Sequence, residues 1–464
     1  MSDFLAHLYD TARRLATGPV VLAAFLLTGL WFTLLSGGFQ ITRVHTWLGS
    51  TLATLFPRRG RAAESKPGGK GFSQLQAMST VLAATVGTGN IVGVASALAL
   101  GGPGAVFWMW ISAFLGMMTG FAENVLGLRY RYKGADGSWV GGAMVYMERG
   151  LRSRPLACAY ALFCTLAALG MGNMTQSNSI ALAMRSFSVP AAVTGAVCAV
   201  LVGLALFGGI KRIGAVAERL VPPMVVLYTL GALACLALRA EALPGAVTQI
   251  FREAFSLRSA AGGAAGYGIA AALRMGVSRG VFSNEAGLGS SVLAHTATDV
   301  KNPAEAGLWA MFEVFVDTLV MCTLTALVIL TSGVYDAEYY AQNLLAGLPV
   351  TEGAELTARA MEASLGPLGA GFVSVALAAF GFATLLGWSY YGERSWCYLF
   401  GQRGLTIYRM LFVALVAAGA VSSIQLVWDL SDIANALMAL PNLAAILLLS
   451  GQVRKSLREL PPRL

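Results

Sequence analysis

Residues 82–93 read LAATVGTGNIVG, which sets Thr85, Gly87, Thr88, Gly89 and Asn90 inside a long apolar stretch. Glycines at this spacing interrupt a helix. In hydrocarbon, an interrupted helix leaves backbone N–H and C=O groups that protein, water or a ligand must satisfy. The first half-helix ends in carbonyls, which suit Na⁺ or an ammonium group. The second begins with N–H groups and a partial positive charge, which suit a carboxylate. One break can therefore recognise both ends of a zwitterion and a cation beside it. Gly87 and Gly89 let a ligand approach the backbone, while Thr85, Thr88 and Asn90 add side-chain oxygens. Close helix packing also uses glycines, but it does not account for the hydroxyls and amide among them. A dinucleotide loop fails on spacing, because Gly87, Gly89 and Gly93 miss G-x-G-x-x-G and no strand precedes them.

A second polar, glycine-rich break lies in GVSRGVFSNEAGLGSS, residues 276–291. Phe282 and Ser283 at this break join the substrate-side candidates, with Asn284, Glu285 and Gly287 following. Ionisable residues within a membrane are functional candidates and are usually paired. Glu285 with Arg279 is the expected pair, as a structural contact or as a gate near the cytoplasmic face. Glu123, Glu313 and Asp317 also fall inside apolar segments, with Glu313 and Asp317 on one helix face. Asn173, Thr175, Gln176, Ser177, Asn178 and Ser179 are too polar for lipid, so part of this run lines a cavity or packs inward, with Gln176 the chosen substrate contact. Thr384 and Trp388 are four apart and share a face. A hydroxyl there suits a cation and an indole can close a small pocket; packing explains the indole almost as well.

The surrounding chain has 464 residues, 56% apolar and 12% charged, against about 25% charged in soluble domains. Apolar runs of membrane-spanning length recur, and no ten-residue alternation suggests a barrel. The reading is an all-α polytopic membrane protein of about eleven spans. They cover residues 19–36, 73–100, 103–130, 155–187, 189–208, 213–238, 266–297, 303–332, 368–399, 405–423 and 430–451. The net charge of +9 reflects basic loops, not nucleic-acid affinity. Arg58, Arg59, Arg61, Lys66, Lys70, Arg131, Lys133, Arg149, Arg152, Arg154, Lys211, Arg212, Arg394, Arg403 and the tail share one side, which is therefore cytoplasmic. The acidic loop around residues 336–362 lies opposite. The C-terminus is then inside and the N-terminus outside, with Arg13 and Arg14 running against this. Six cysteines lack metal-ligand spacing and read as small apolar residues.

The two breaks lie five spans apart, and an odd offset makes them antiparallel. Spans 2–6 and 7–11 then form inverted five-helix repeats, with an extra first helix. The organisation is 1–72 (extra helix and basic loop), 73–238 (first repeat), 239–451 (second repeat) and 452–464 (tail). Paired interrupted helices in corresponding halves point to a transporter's binding site.

The segments ATVGTGNIVGVASALALGGPGAVFWMW (84–110), GVSRGVFSNEAGLGSS (276–291) and LLGWSYYGER (385–394) resemble the alanine/glycine:cation symporter family, and the resemblance extends over residues 70–401. It implies the amino acid–polyamine–organocation type of fold, with the five-plus-five repeat of leucine-transporter-type carriers. It also implies Na⁺-coupled, sometimes H⁺-coupled, uptake of alanine or glycine across a bacterial-type inner membrane. Carried over residue by residue, it places the substrate carboxylate on the N–H groups of Thr88 and Gly89. It places Na⁺ on the carbonyls of Ala83 and Val86 and the Thr384 hydroxyl. It also supports Gln176 and Trp388 as pocket residues, Trp388 limiting side-chain size. The chain departs from the pattern at Ala383, where a second hydroxyl is common. The expectation is a secondary transporter, not an enzyme, with Glu123, Arg279 and Glu285 as gate or coupling candidates. A channel would need a continuous polar pore, and an amino-acid sensor would bind without moving its ligand.

Overall fold

A computed structural model describes residues 18–55, 74–134, 137–255, 268–298 and 300–459, with isolated positions between 7 and 16. Arg13, Arg58, Arg59, Arg61, Lys66, Lys70 and Arg463, used above for orientation, lie outside the described residues.

Seven helices among the described residues are long and apolar enough to cross a membrane, and a bent pair makes an eighth. Two further apolar helices, Ala191–Phe207 and Leu405–Val421, have 17 residues each, about 25 Å of rise. The helix Ile269–Asn284, broken off at Glu285, fills the remaining place in the order. These segments follow the expected spans, with shifted ends: span 6 begins at Ile210 and span 11 occupies Ile424–Leu448.

Span 2 is helical over Gln74–Thr85, breaks at Val86 and Gly87, and resumes through Thr88–Asn90 into Val92–Gly101 with a 48° bend. Span 7 runs Ile269–Asn284, turns through residues 285–291, and ends in Val292–His295. Glu285, Gly287 and Gly289 all have positive φ in that turn, a conformation costly for Glu285 and free for glycine. Val92–Gly101 packs along Ile269–Asn284, and Gln74–Thr85 packs against Val292–His295. Each half-helix thus meets the opposite half of the other span, as two antiparallel broken helices must.

Small residues bring the neighbours close. Gly387 in span 9 (Pro367–Phe400) would place a side-chain carbon 2.8 Å from Ala84 Cβ in span 2. Gly276 in span 7 sits directly on the Ala105–Met109 backbone of span 3 (Gly104–Tyr130). Spans 4 (Arg154–Phe187) and 8 (Pro303–Thr331) widen into π turns at Gly170–Met174 and Phe315–Cys322. Such widenings recur at functional positions.

The acidic loop between spans 8 and 9 is not plain loop. It forms helices Ala337–Leu345 and Gly353–Leu365. The first is capped by Asp336, whose carboxylate accepts from the Glu338 and Tyr339 N–H groups. The second lies over the resumed half of span 2, where the Thr357 hydroxyl donates to the Ile91 carbonyl at 3.2 Å. Polar outer helices of this length carry no spanning apolar run, so the hydropathy pattern passes over them.

Candidate functional site

The break in span 2 is held by side chains from three other spans. Asn90 folds back so that its Oδ1 accepts from the Gly87 N–H at 2.9 Å, satisfying one donor freed by the break. Its Nδ2 donates to Asp317 Oδ1 at 2.7 Å and to the Asp317 carbonyl at 3.0 Å. The Thr88 hydroxyl donates to Gln176 Oε1 at 2.9 Å, and Gln176 Nε2 donates to the Met171 carbonyl in the span 4 π turn. The Thr384 hydroxyl donates to the Ala83 carbonyl at 2.9 Å, capping an orphan carbonyl of the first half-helix. Gly87 and Thr384 Oγ1 are so close that any β-carbon at 87 would overlap it. Thr88, Asn90, Gln176, Thr384 and Asp317 are all buried.

The two breaks meet at Gly89, where a β-carbon would lie 3.0 Å from Ser283 Cα. Between them runs a polar chain: Asn284 Nδ2 donates to Thr318 Oγ1 at 3.0 Å, and Thr318 donates to Asp317 Oδ2 at 2.8 Å. Cys322 Sγ completes the ring at 3.4 Å from Asn90 Nδ2 and 3.5 Å from Ser283 Oγ. Asp317 is the only carboxylate in this ring, and among the described residues no cationic side chain forms an ion pair with it. A buried carboxylate whose partners are neutral donors is stabilised by taking up a cation or a proton. A carboxylate inside an apolar segment is the sequence signal that Asp317 offers, and its bond to Asn90 is what joins it to the site.

The expected Glu285–Arg279 pair is not formed. Arg279 pairs with Asp432 of span 11 at 3.0 and 3.3 Å and lies over the Trp428 ring at 4.6 Å. Residues six apart fall on different faces of a helix, and Glu285 already lies past the end of its own. Glu285 instead accepts from the Trp388 indole N–H at 2.7 Å and from the Ser290 hydroxyl at 2.5 Å. Glu123 accepts from the Gly289 N–H at 3.0 Å and from Asn442 Nδ2, and so anchors the turn of span 7. Glu313 pairs with His295 at 3.0 Å.

Most of the span 4 polar run is structural. Asn173 donates to the Phe412 carbonyl, Asn178 to the Gly419 and Ser422 carbonyls, and Thr175 bonds Ser431. Gln176 is the member that reaches the break. Phe282 packs on Trp428 with ring centroids 4.6 Å apart and planes tilted by 34°, and lines a cavity of about 30 Å³ with Val21, Phe25 and Asp432. Trp388 is fully buried, pressed onto Gly172 of the span 4 π turn. Its indole links the second break to the turn whose Met171 carbonyl accepts from Gln176. Trp388→Phe is expected to cost about 1–3 kcal/mol by leaving Glu285 a donor short. In the background of Glu285→Gln the same change is expected to cost less, as thermal melting of the single and double variants in detergent can show. Equal losses in both backgrounds would mean the indole bond to the carboxylate is not what stabilises Trp388.

The arrangement combines half-helix ends, neutral hydroxyls and amides, and one carboxylate at the crossing of two broken helices. Oxygen ligands of this kind suit a hard cation, and free N–H groups at a helix start suit a carboxylate. Residues 2–461 match the sequence model of the Sodium:alanine symporter family. The chain is 42% identical over 458 residues to Sodium/alanine symporter AgcS of Methanococcus maripaludis, covering 97% of this chain and 96% of that protein. It is 36% identical to the Probable sodium/glutamine symporter GlnT of Bacillus subtilis, covering 99% and 91%. Among solved structures, that of MhsT in complex with L-phenylalanine superposes with a TM-score of 0.60 at 15% identity, covering 84% of this chain and 93% of that one. That likeness establishes the shared fold.

Proposed function

The chain belongs to the sodium:alanine symporter family, and we propose that it imports a small neutral amino acid, alanine or glycine, together with Na⁺ by alternating access. It is a multi-pass membrane transporter, not an enzyme. The observation that carries the proposal is the meeting of the two breaks around Asn90, Ser283 and Asp317. In this reading the substrate carboxylate takes the N–H groups of Thr88 and Gly89, and Gln176 and Trp388 bound the side chain. Two oxygen clusters are offered to cations. One comprises the carbonyls of Ala83 and Val86 with the Thr384 hydroxyl. The other comprises Asn90, Ser283, Thr318 and Asp317. At the first, the Thr384 hydroxyl proton would turn from Ala83 so that both oxygens face the ion. The orientation proposed is C-terminus cytoplasmic and N-terminus outside, in a bacterial-type inner membrane.

Relatives named for alanine and for glutamine make substrate size the finer question. Uptake of radiolabelled alanine by reconstituted protein, competed with unlabelled glycine, serine and glutamine, tests it. Competition by alanine and glycine supports the reading; competition by glutamine alone would overturn it. Thr384→Ala is expected to weaken the Na⁺ response of uptake at least tenfold while leaving the order of competitors unchanged. An unaltered Na⁺ response would remove Thr384 from the ion site. Proton coupling is the second reading, favoured by the buried Glu123, whose Oε2 has no hydrogen-bond partner among the described residues.

A further inference from the structure

The π turn of span 8, Phe315–Cys322, decides which of that span's side chains reach the crossing of the two breaks. Asp317 and Cys322 are five residues apart. In an ordinary α-helix each residue turns by about 100°, so the two would point about 140° apart. Bonds from i to i+5 unwind the helix and bring such a pair toward one side. Both then meet the same atom: Asn90 Nδ2 lies 2.7 Å from Asp317 Oδ1 and 3.4 Å from Cys322 Sγ. Cys322 Sγ is also 3.5 Å from Ser283 Oγ at the other break. The buried thiol thus touches one residue of each broken helix.

Its sulfur is not needed to satisfy Asn90. The Nδ2 group carries two protons and faces three acceptors: the Asp317 carboxylate, the Asp317 carbonyl at 3.0 Å and the sulfur. The sulfur is the weakest and most distant of the three, so its lone pairs remain open to the ring. Beside it lies the Asp317 carboxylate, with which no cationic side chain among the described residues forms an ion pair. Among the described residues no group of three His, Cys, Asp or Glu side chains is placed to hold a metal ion. One thiol and one carboxylate are therefore completed by neutral groups, the Ser283 and Thr318 hydroxyls.

Oxygen ligands suit a hard cation such as Na⁺, whereas sulfur suits a soft one. We propose that Cys322 is a ligand position of this cation cluster and sets its selectivity: the sulfur weakens the hold on Na⁺ and admits a thiophilic divalent ion. The thiol releases its proton to solution as the metal–sulfur bond forms, and Asp317 supplies the second negative charge. The inference rests on the reading of Asn90, Ser283, Thr318 and Asp317 as a cation cluster. A weakened hold on Na⁺ has a use, because an ion that is carried must also leave.

Thermal melting of the purified full-length protein in detergent tests this, with Cd²⁺ titrated in the absence and presence of Na⁺. Cd²⁺ is expected to raise the melting temperature of the wild type, and Na⁺ to raise the Cd²⁺ concentration that this requires. Cys322→Ser and, separately, Asp317→Asn should each lower the apparent Cd²⁺ affinity by about tenfold or more. Cys322→Ser also puts a hard oxygen in the ring, so the Na⁺ concentration for half-maximal effect should fall about 2- to 12-fold, the range of one added polar contact. Cys322→Ala should lose the Cd²⁺ response without that gain, which separates a ligand from a packing effect. Cd²⁺ stabilisation that persists in Cys322→Ser, or that is absent from the wild type, would overturn the proposal. A Cd²⁺ response lost in both Cys322→Ser and Asp317→Asn but indifferent to Na⁺ would sustain Cys322 as a metal ligand and overturn instead the assignment of Na⁺ to this cluster.

Discussion

Asp317→Asn is expected to weaken cation-driven accumulation of substrate about 100-fold while the protein still folds and is inserted. The change preserves the shape of the side chain and an oxygen to accept from Asn90 Nδ2, now 2.7 Å away. It removes the single negative charge from a buried ring otherwise made of Asn90, Asn284, Thr318, Ser283 and Cys322. Losing a charged partner from a buried pair costs about 3 kcal/mol, which is about two decades in affinity. The loss should fall on the cation concentration needed for half-maximal uptake, more than on the amino-acid concentration at saturating cation. Uptake measured as a function of external Na⁺ separates the two. A variant with unchanged cation dependence would place the coupling ion elsewhere, with Thr384 and Ala83 the remaining site.

Gly87→Ala is expected to be nearly as damaging, for a steric reason. The new β-carbon would overlap Thr384 Oγ1 and lie 3.4 Å from Thr384 Cβ. Thr384 would have to rotate, breaking its bond to the Ala83 carbonyl, or the two spans would have to separate. Either change disturbs the end of the first half-helix, where the carbonyls are aimed. A fall in uptake of about 5- to 150-fold is expected from overpacking at a buried contact, at about 1–3 kcal/mol. The diagnostic is the double variant. If the harm passes through the Thr384 hydroxyl, adding Gly87→Ala to Thr384→Ala should cost little more than Thr384→Ala alone. Full additivity would show that Gly87 matters for another reason, such as direct approach of a ligand to the backbone.

The breaks themselves were legible because their composition conflicts with their surroundings: glycine, threonine and asparagine do not accumulate in an apolar helix without a use. The antiparallel relation of the two breaks followed from counting spans, and the packing of opposite halves agrees with it. Gln176 was separable from its polar neighbours only in three dimensions, because Asn173, Thr175 and Asn178 have the same composition but bond spans 10 and 11. Asp317 went unassigned because its partner Asn90 is 227 residues away. Arg279 was matched to the nearest carboxylate in sequence, whereas its partner Asp432 lies 153 residues on and across the bundle. Sequence proximity is a poor guide inside a bundle, where charges are satisfied between helices. The helix Gly353–Leu365 over the break was hidden for a different reason. It is too polar and short to show as a span, and its contact with Ile91 is a single hydroxyl bond.

The most direct measurement of the central claim, that the crossing of the two breaks is a cation-coupled amino-acid site, is uptake of radiolabelled alanine into proteoliposomes under an inward Na⁺ gradient and, separately, an inward H⁺ gradient. The account predicts accumulation above equilibrium with Na⁺ alone, enhanced by an inside-negative potential at about 2.3 kcal/mol per charge per 100 mV, and lost in Asp317→Asn. Accumulation driven by H⁺ without Na⁺, or equilibration that neither gradient alters, would contradict it.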